Sequence, residues 1–320
     1  MAVTVVPGNG RTPLMRSGRR TVDGVDQRSE VRDFLTSRRA RLTPEDAGLP
    51  AYGGMRRVKG LRREEVATLA GVSVDYYNRM ERGNLSGVSE AILDALASAL
   101  RLDEAERVYL GDLARAASAG SRQRRASPRP RVRLTVQRVL DGMIEVPAYV
   151  RNGRFDILAA NNLARLLLGD LLAGPAKPNL ARYLFLDQRS QELYADWETV
   201  ARDCAAALRI EAGRNPHDRG LTDLVGELST RSEPFRQWWA THNVRLHTSA
   251  TKLIHHPVVG DIEITGEALS VTADDGLTIM TYTVEPASKS SEALKLLSSW
   301  GRQEPPAKSQ PGTSLGGTPH

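Results

Sequence analysis

The sequence predicts two unlike domains: an all-α domain of five helices, then an α+β domain built on a five-stranded antiparallel sheet. Three observations carry the prediction. Residues 29–117 give five stretches of helical period, enough for one small core. The polar, basic, proline-bearing segment SAGSRQRRASPRPR at 118–131 reads as a linker. Residues 132–300 mix helical patterns with five strand-like runs, two before most of the helices and three after.

Met1 to Gln27 shows no periodicity, and residues 1–28 are read as a disordered tail. Val31, Phe34, Leu35 and Arg38 set the first helix, with Ser29 as its cap. A long loop over 42–60 holds Pro44, Gly48, Pro50, Gly53 and Gly54, and its end carries Arg56, Arg57 and Lys59. Two short helices are predicted over 62–70 and 74–82, split by Gly71-Val72-Ser73. Ser89 caps a fourth, with Ile92, Leu93, Leu96, Ala97 and Leu100 in one stripe. Asp103 and Glu106 are spaced as a capping pair for a fifth, which carries Tyr109, Leu110 and Leu113.

Beyond the linker, 132–144 is a helix, and its Val136, Val139, Leu140 and Met143 form either a dimer surface or a face packed on its own domain. The runs 147–150 and 154–160 flank Arg151-Asn152-Gly153, a hairpin signal. Helices are predicted at 162–172, 193–211, 221–230 and 234–242, and strands at 252–256, 261–271 and 277–284. Asp274-Asp275-Gly276 turns the last pair. A final helix at 291–300 leaves 301–320 as a second disordered tail.

Hydrophobic residues make up 40% and charged residues 26%, as in a globular domain rather than a fibre. No apolar run reaches bilayer length, which excludes membrane insertion. The first apolar patch ends within five residues at Pro7, too short for a secretory signal. The single cysteine, Cys204, cannot form an intrachain disulfide and sits in an apolar helical stretch, so it reads as a core filler in a reducing, cytoplasmic setting. Charge is unevenly placed: residues 1–130 hold 23 Lys/Arg against 16 Asp/Glu, while the rest hold 21 against 22. A basic half joined to a near-neutral half suggests that only the first meets a polyanion.

The segment LRREEVATLAGVSVDYYNRMERG, 61–83, carries the chemistry. Two helices crossing through a tight turn need a small residue at the joint, supplied by Ala67, and a residue tolerant of positive φ, supplied by Gly71. Val66, Val72, Tyr77 and Met80 are spaced to bury the corner, and Ser73 to cap the second helix. Asp75, Tyr76, Asn78, Arg79 and Arg82 are left on an outer polar face suited to a DNA major groove. The plainer alternative is a helical hairpin in an unrelated bundle.

This segment, with Glu81-Arg82-Gly83 and the following leucine stripe, resembles the phage-repressor (XRE, Cro/C1-type) helix-turn-helix family. RARLTPEDAGLP, NLARYLFLD, ELYADWETVAR, EAGRNPHD, LVGELSTRS, HPVVGDIEI and YTVEP further resemble the MmyB-like regulators, over about 31–300. The resemblance implies a bacterial transcriptional regulator with a PAS-like domain for a small apolar, fatty-acid-like ligand. It also implies that Arg63 holds a phosphate, with Arg62, Ser73 and Tyr76 as further phosphate candidates. Val74, Asp75, Asn78 and Arg79 then meet base edges: Arg79 on guanine, Asn78 on adenine, Val74 on a thymine methyl. Asp75 either accepts from cytosine or pairs with Arg79 four residues on. Arg56, Arg57 and Lys59 reach the DNA backbone or remain solvated. Useful specificity calls for a homodimer on a two-fold site. Two departures stand out: Asn84-Leu85-Ser86-Gly87-Val88 replaces a charged, proline-bearing loop, and Gly266 stands where an aromatic residue is usual.

Half of the chain's 16 aromatic residues fall at Tyr149, Tyr183, Phe185, Tyr194, Trp197, Phe235, Trp238 and Trp239. Tyr149, Phe185, Trp197 and Trp238 are the candidate ligand contacts, with core packing as the alternative. His242, His247, His255 and His256 cluster in sequence. No HExxH or CxxC accompanies them, and the adjacent pair would point to opposite faces of a strand, so no metal is expected. The absence of G-x-S-x-G and of a phosphate loop points away from an enzyme. The competing reading of the second half is a constitutive dimerisation or protein-interaction module without an effector.

Overall fold

Five helices, α1 (Gln27–Arg41), α2 (Arg63–Leu69), α3 (Val74–Glu81), α4 (Glu90–Ala99) and α5 (Glu104–Ser118), form the first domain of the computed structural model. The structure describes residues 27–49, 60–118, 132–173, 177–244, 249–274 and 276–300. Residues 119–131 of the predicted linker, the tail at 301–320 and residues 1–26 lie outside them, as do Arg56, Arg57, Lys59 and His247, while Ser118 ends α5. Helix α1 starts at Gln27 rather than after a Ser29 cap; the Gln27 side-chain amide donates to the Leu113 carbonyl at 3.2 Å and ties the first turn to α5. No helix among the described residues is long and apolar enough to cross a membrane.

The corner between α2 and α3 has the sterics its sequence requires. Gly71 takes φ +65° and ends α2, where a side chain would be strained. The Ser73 hydroxyl accepts from the Tyr76 N–H at 3.2 Å and caps α3. Val66, Ala67, Tyr77 and Met80 are buried beneath the joint. Asp103 and Glu106 cap α5 reciprocally, at 2.9 and 3.2 Å. Gly83, at φ +95°, lies so close to α1 that a Cβ would come within 2.4 Å of the Arg28 carbonyl oxygen.

The second domain opens with α6 (Leu134–Gly142), β1 (Ala148–Asn152) and β2 (Ile157–Ala160), then α7 (Asn162–Leu167), α8 (Gly169–Leu172), α9 (Leu180–Leu186) and α10 (Arg189–Leu193). It continues through α11 (Trp197–Arg214), α12 (Arg219–Arg231), α13 (Glu233–Ala240), β3 (Ser249–His256), β4 (Gly260–Ser270), β5 (Leu277–Thr283) and α14 (Lys289–Trp300). The five strands form one antiparallel sheet in the order β2-β1-β5-β4-β3. The β1–β2 turn is longer than the Asn-Gly signal implied. Asn152 Oδ1 accepts from the N–H groups of Arg154 and Asp156, and Phe155 rather than Gly153 takes positive φ.

Two predicted helices are broken. Leu168, at φ −111° and ψ 31°, leaves helical geometry and separates α7 from α8. Tyr194 bridges Ile254 while the Ala195 N–H donates to Leu253, so the chain pairs with the β3 edge before Asp196 caps α11. Helix α9 was not predicted. Val136 and Leu140 of α6 are buried and Met143, its C-cap, packs beside them against their own domain, whereas Val139 is exposed. Cys204 is buried, which pushes its thiol up to about 12 and leaves it a protonated core filler.

The domains share a core. Ile210 on α11 and Val244 after α13 are buried among the helices of the first domain. Arg209 on α11 is 1% exposed and pairs with Glu30 on α1, which also accepts from the Tyr109 hydroxyl at 2.6 Å. Arg38 donates to the His242 carbonyl at 2.5 Å and pairs with Glu106 at 2.8 Å, while Arg214 reaches Asp112 at 2.8 Å. Gly213 lets α11 close on α5, since a Cβ there would meet the Tyr109 ring at 2.4 Å. Gly213→Ala is therefore expected to cost about 1–3 kcal/mol by overpacking; urea unfolding of the full chain checks this, and an unchanged midpoint would refute the close approach.

Candidate nucleic-acid interface and effector cleft

The outer surface of α3 is held from behind. Tyr77, Met80 and Glu81 face inward, whereas Val74, Asp75, Arg79 and Arg82 are exposed and Tyr76 and Asn78 half-buried. Val74, at the start of the helix, is 38% exposed. Arg79 does not pair with Asp75; its guanidinium lies 5.8 Å from the Tyr76 ring and donates to the Ser86 carbonyl at 3.3 Å. The departure at 84–88 thereby gains a purpose: Leu85 is buried, and the turn at Gly87 brings the Ser86 carbonyl to Arg79.

Arg62 and Arg63 open α2. The Glu65 carboxylate accepts from the Arg62 backbone N–H at 2.6 Å, leaving the Arg62 side chain exposed. Arg63 is 56% exposed yet bonded to Glu81 through Nε at 3.1 Å and Nη2 at 3.0 Å. Glu81 is buried and takes a second fork from Arg39, at 3.0 and 2.9 Å. Burial pushes the Glu81 carboxyl up, but the hydrogen bonds from Arg39 and Arg63 outweigh it and hold it below the usual range. One buried carboxylate thus orients two arginines. Sequence reading missed this centre; its signal was an acid placed among the inward positions of α3.

The candidate ligand contacts form a core cluster. Phe185 packs edge-on against Phe235 at 4.9 Å and Trp238 at 6.1 Å, and Trp197 lies 5.9 Å from Trp238. The Trp197 indole donates to the Leu184 carbonyl at 2.9 Å, and Tyr149 is buried with its hydroxyl 3.3 Å from that of Tyr282. At Gly266 the missing side chain leaves no gap, because the Tyr282 ring stands 3.0 Å from where a Cβ would be.

A cleft of about 280 Å³ opens elsewhere, between α7, α8, α9 and α14 and the turn after β3. Leu166, Leu193, Val258, Leu297 and Trp300 make its walls apolar, and Tyr183 and Asp170 add polar groups. None of the four predicted contacts lines it. Its walls come from segments over a hundred residues apart, which no local pattern links. His256 also lines it, but both ring nitrogens are engaged: Nε2 with the Leu166 carbonyl at 3.1 Å, Nδ1 with the Val258 N–H at 3.2 Å. His255 points to the opposite face and pairs with Asp261 at 2.7 Å. Among the described residues no group of three His, Cys, Asp or Glu could hold a metal ion.

Comparison with known proteins agrees with this two-part build. Residues 30–110 match the model of a helix-turn-helix domain, and residues 132–297 match that of the MmyB-like transcription regulator ligand binding domain. No curated protein matches the chain. The second model covers just over half of the sequence, and with a helix-turn-helix at its head the chain belongs to the MmyB-like transcription regulators.

Proposed function

We propose that this chain is a homodimeric, sequence-specific transcription factor, not an enzyme, that binds double-stranded DNA through α3 and answers to a small apolar, fatty-chain effector in the α7–α14 cleft. The carrying observation is the solvent-exposed outer face of α3 above a joint in which Val66, Ala67, Tyr77 and Met80 are buried. In this reading Arg79 and Asn78 read purines, Val74 and Asp75 contact neighbouring bases, and Arg62, Arg63, Ser73, Tyr76 and Arg82 grip phosphates, with Arg56 and Arg57. The shared core of the two domains supports a response to ligand, because an effector that alters the second domain alters the seat of the first.

Genome-wide capture of bound fragments, followed by single-base operator variants, tests the DNA reading. Arg79→Ala is expected to lose about 1–3 kcal/mol at one base pair and relax preference there, while Arg63→Ala weakens every sequence alike. An equal loss across the panel for Arg79→Ala would rule out base reading by that side chain. Occluding the cleft with Leu193→Trp is expected to abolish any effect of apolar ligands on operator affinity while leaving unliganded binding unchanged.

A further inference from the structure

The cleft has walls suited to an aliphatic chain but no cationic side chain to offset the charge of an anion. None of its lining residues is a lysine or arginine, and both nitrogens of its histidine are spent on backbone groups. The one charge in its lining is the Asp170 carboxylate. Arg189 stands near, 3.1 Å from Asp170, but its guanidinium is shared with Asp187 at 2.6 Å, so the trio sums to one negative charge. The Tyr183 hydroxyl has no hydrogen-bond partner among the described residues, and Tyr183 lines the cleft.

Resting on the reading of this cleft as the effector site, we infer that its ligand is an apolar chain with an uncharged, hydrogen-bond-accepting head, such as an alcohol, ketone or ester, and not a carboxylate. The Tyr183 hydroxyl donates to that head, and Asp170 repels an anion placed beside it. The same surroundings already act on Tyr183: burial, with the carboxylates of Asp170 and Asp187, pushes its phenol up to about 12, so it stays a neutral donor at physiological pH. The chain's own segment after Trp300 is a poor occupant, since residues 301–320 are polar and carry Leu315 as their one large aliphatic side chain.

Calorimetric titration of the full chain with 1-decanol and with decanoate, equal in length, separates the two heads. Near neutral pH, decanol is expected to bind about ten-fold more tightly. Tyr183→Phe, which keeps the ring, should weaken decanol about five-fold. Asp170→Asn, which removes the net negative charge of the trio while Arg189 stays paired with Asp187, should bring decanoate up to the level of decanol. Decanoate binding as tightly as decanol to the unaltered chain would overturn the head-group class yet leave the cleft as the site. A preference unmoved by Asp170→Asn would overturn its electrostatic cause. Binding of neither chain, or binding that survives Leu193→Trp, would overturn the cleft itself and this inference with it.

Discussion

Arg209→Ala is expected to cost about 3–5 kcal/mol and to uncouple the unfolding of the two domains. The Arg209 guanidinium pairs with Glu30, donates to the Trp239 carbonyl, meets His242 Nδ1 at 3.0 Å and lies 4.0 Å from the centre of the Trp239 ring. Its removal leaves the Glu30 carboxylate buried with only the Tyr109 hydroxyl and His242 nearby, a charge stripped of its main counterion. The double variant Glu30→Gln/Arg209→Met should cost less than the sum of the singles, because no orphan charge remains. Urea unfolding followed by tryptophan fluorescence, which reports only the second domain, and by far-ultraviolet dichroism gives the readout. Coincident curves for the parent and separated curves for Arg209→Ala are expected; a loss under about 1 kcal/mol would refute the coupling.

The same network sets an acid limit. Burial drives the Glu30 carboxyl up, but His242, the Arg209 charge and the Tyr109 hydroxyl together bring it down from 4.5 to about 2. A carboxylate with a depressed folded value contributes stability in full above its unfolded value, and that contribution fades as pH falls from about 4.5 through about 2. Glu30→Gln should therefore flatten the acid limb of the stability profile in that window, as urea unfolding at a series of acid pH values would show.

The interface also connects the cleft to the DNA-binding helices through contacts visible in the structure. Tyr183 lines the cleft, and two residues along α9 Phe185 packs on Phe235 and Trp238 of α13. Trp239 in the last turn of α13 and His242 in the turn after it offer the carbonyls that receive Arg209 and Arg38. Elements with two packed arrangements along this chain would let an effector bias the seat of α1, and with it α3.

What the sequence disclosed followed from range. Local devices were legible: the glycine at 71, the Ser73, Ser89 and Asp103 caps, and the opposed faces of His255 and His256 each depend on neighbours within a few residues. The breaks at Leu168 and Tyr194 were not, because Tyr194 leaves the helix to pair with a strand sixty residues away. Helix α9 escaped because its seven residues are mostly apolar all round and show no period. The cleft was hidden because its walls, leucines from three distant segments with Tyr183 and Trp300, share no local pattern. Tyr149, Phe185, Trp197 and Trp238 lie instead in or against the domain core. Arg209 did leave a trace, a lone cation in the apolar run Ala205–Ile210, though nothing local named Glu30 as its partner.

Glu81→Ala is expected to damage both stability and DNA binding, and the two losses can be told apart. Arg39 is 13% exposed and would lose the carboxylate that accepts its fork, keeping only the Leu61 carbonyl at 2.8 Å; about 3 kcal/mol of stability should go with it. Arg63 would lose the group that fixes its orientation. Since a phosphate contact is felt through counterion release, the folded fraction of the variant should bind every sequence more weakly, and its log–log salt slope should fall by about one. Glu81→Gln, which still accepts hydrogen bonds but carries no charge, should recover part of the stability. If the salt slope of Glu81→Ala equals the parent's while Arg63→Ala lowers it, Arg63 grips its phosphate without help from Glu81. If neither variant moves the slope, Arg63 serves the fold alone and the DNA must lie against another part of the surface.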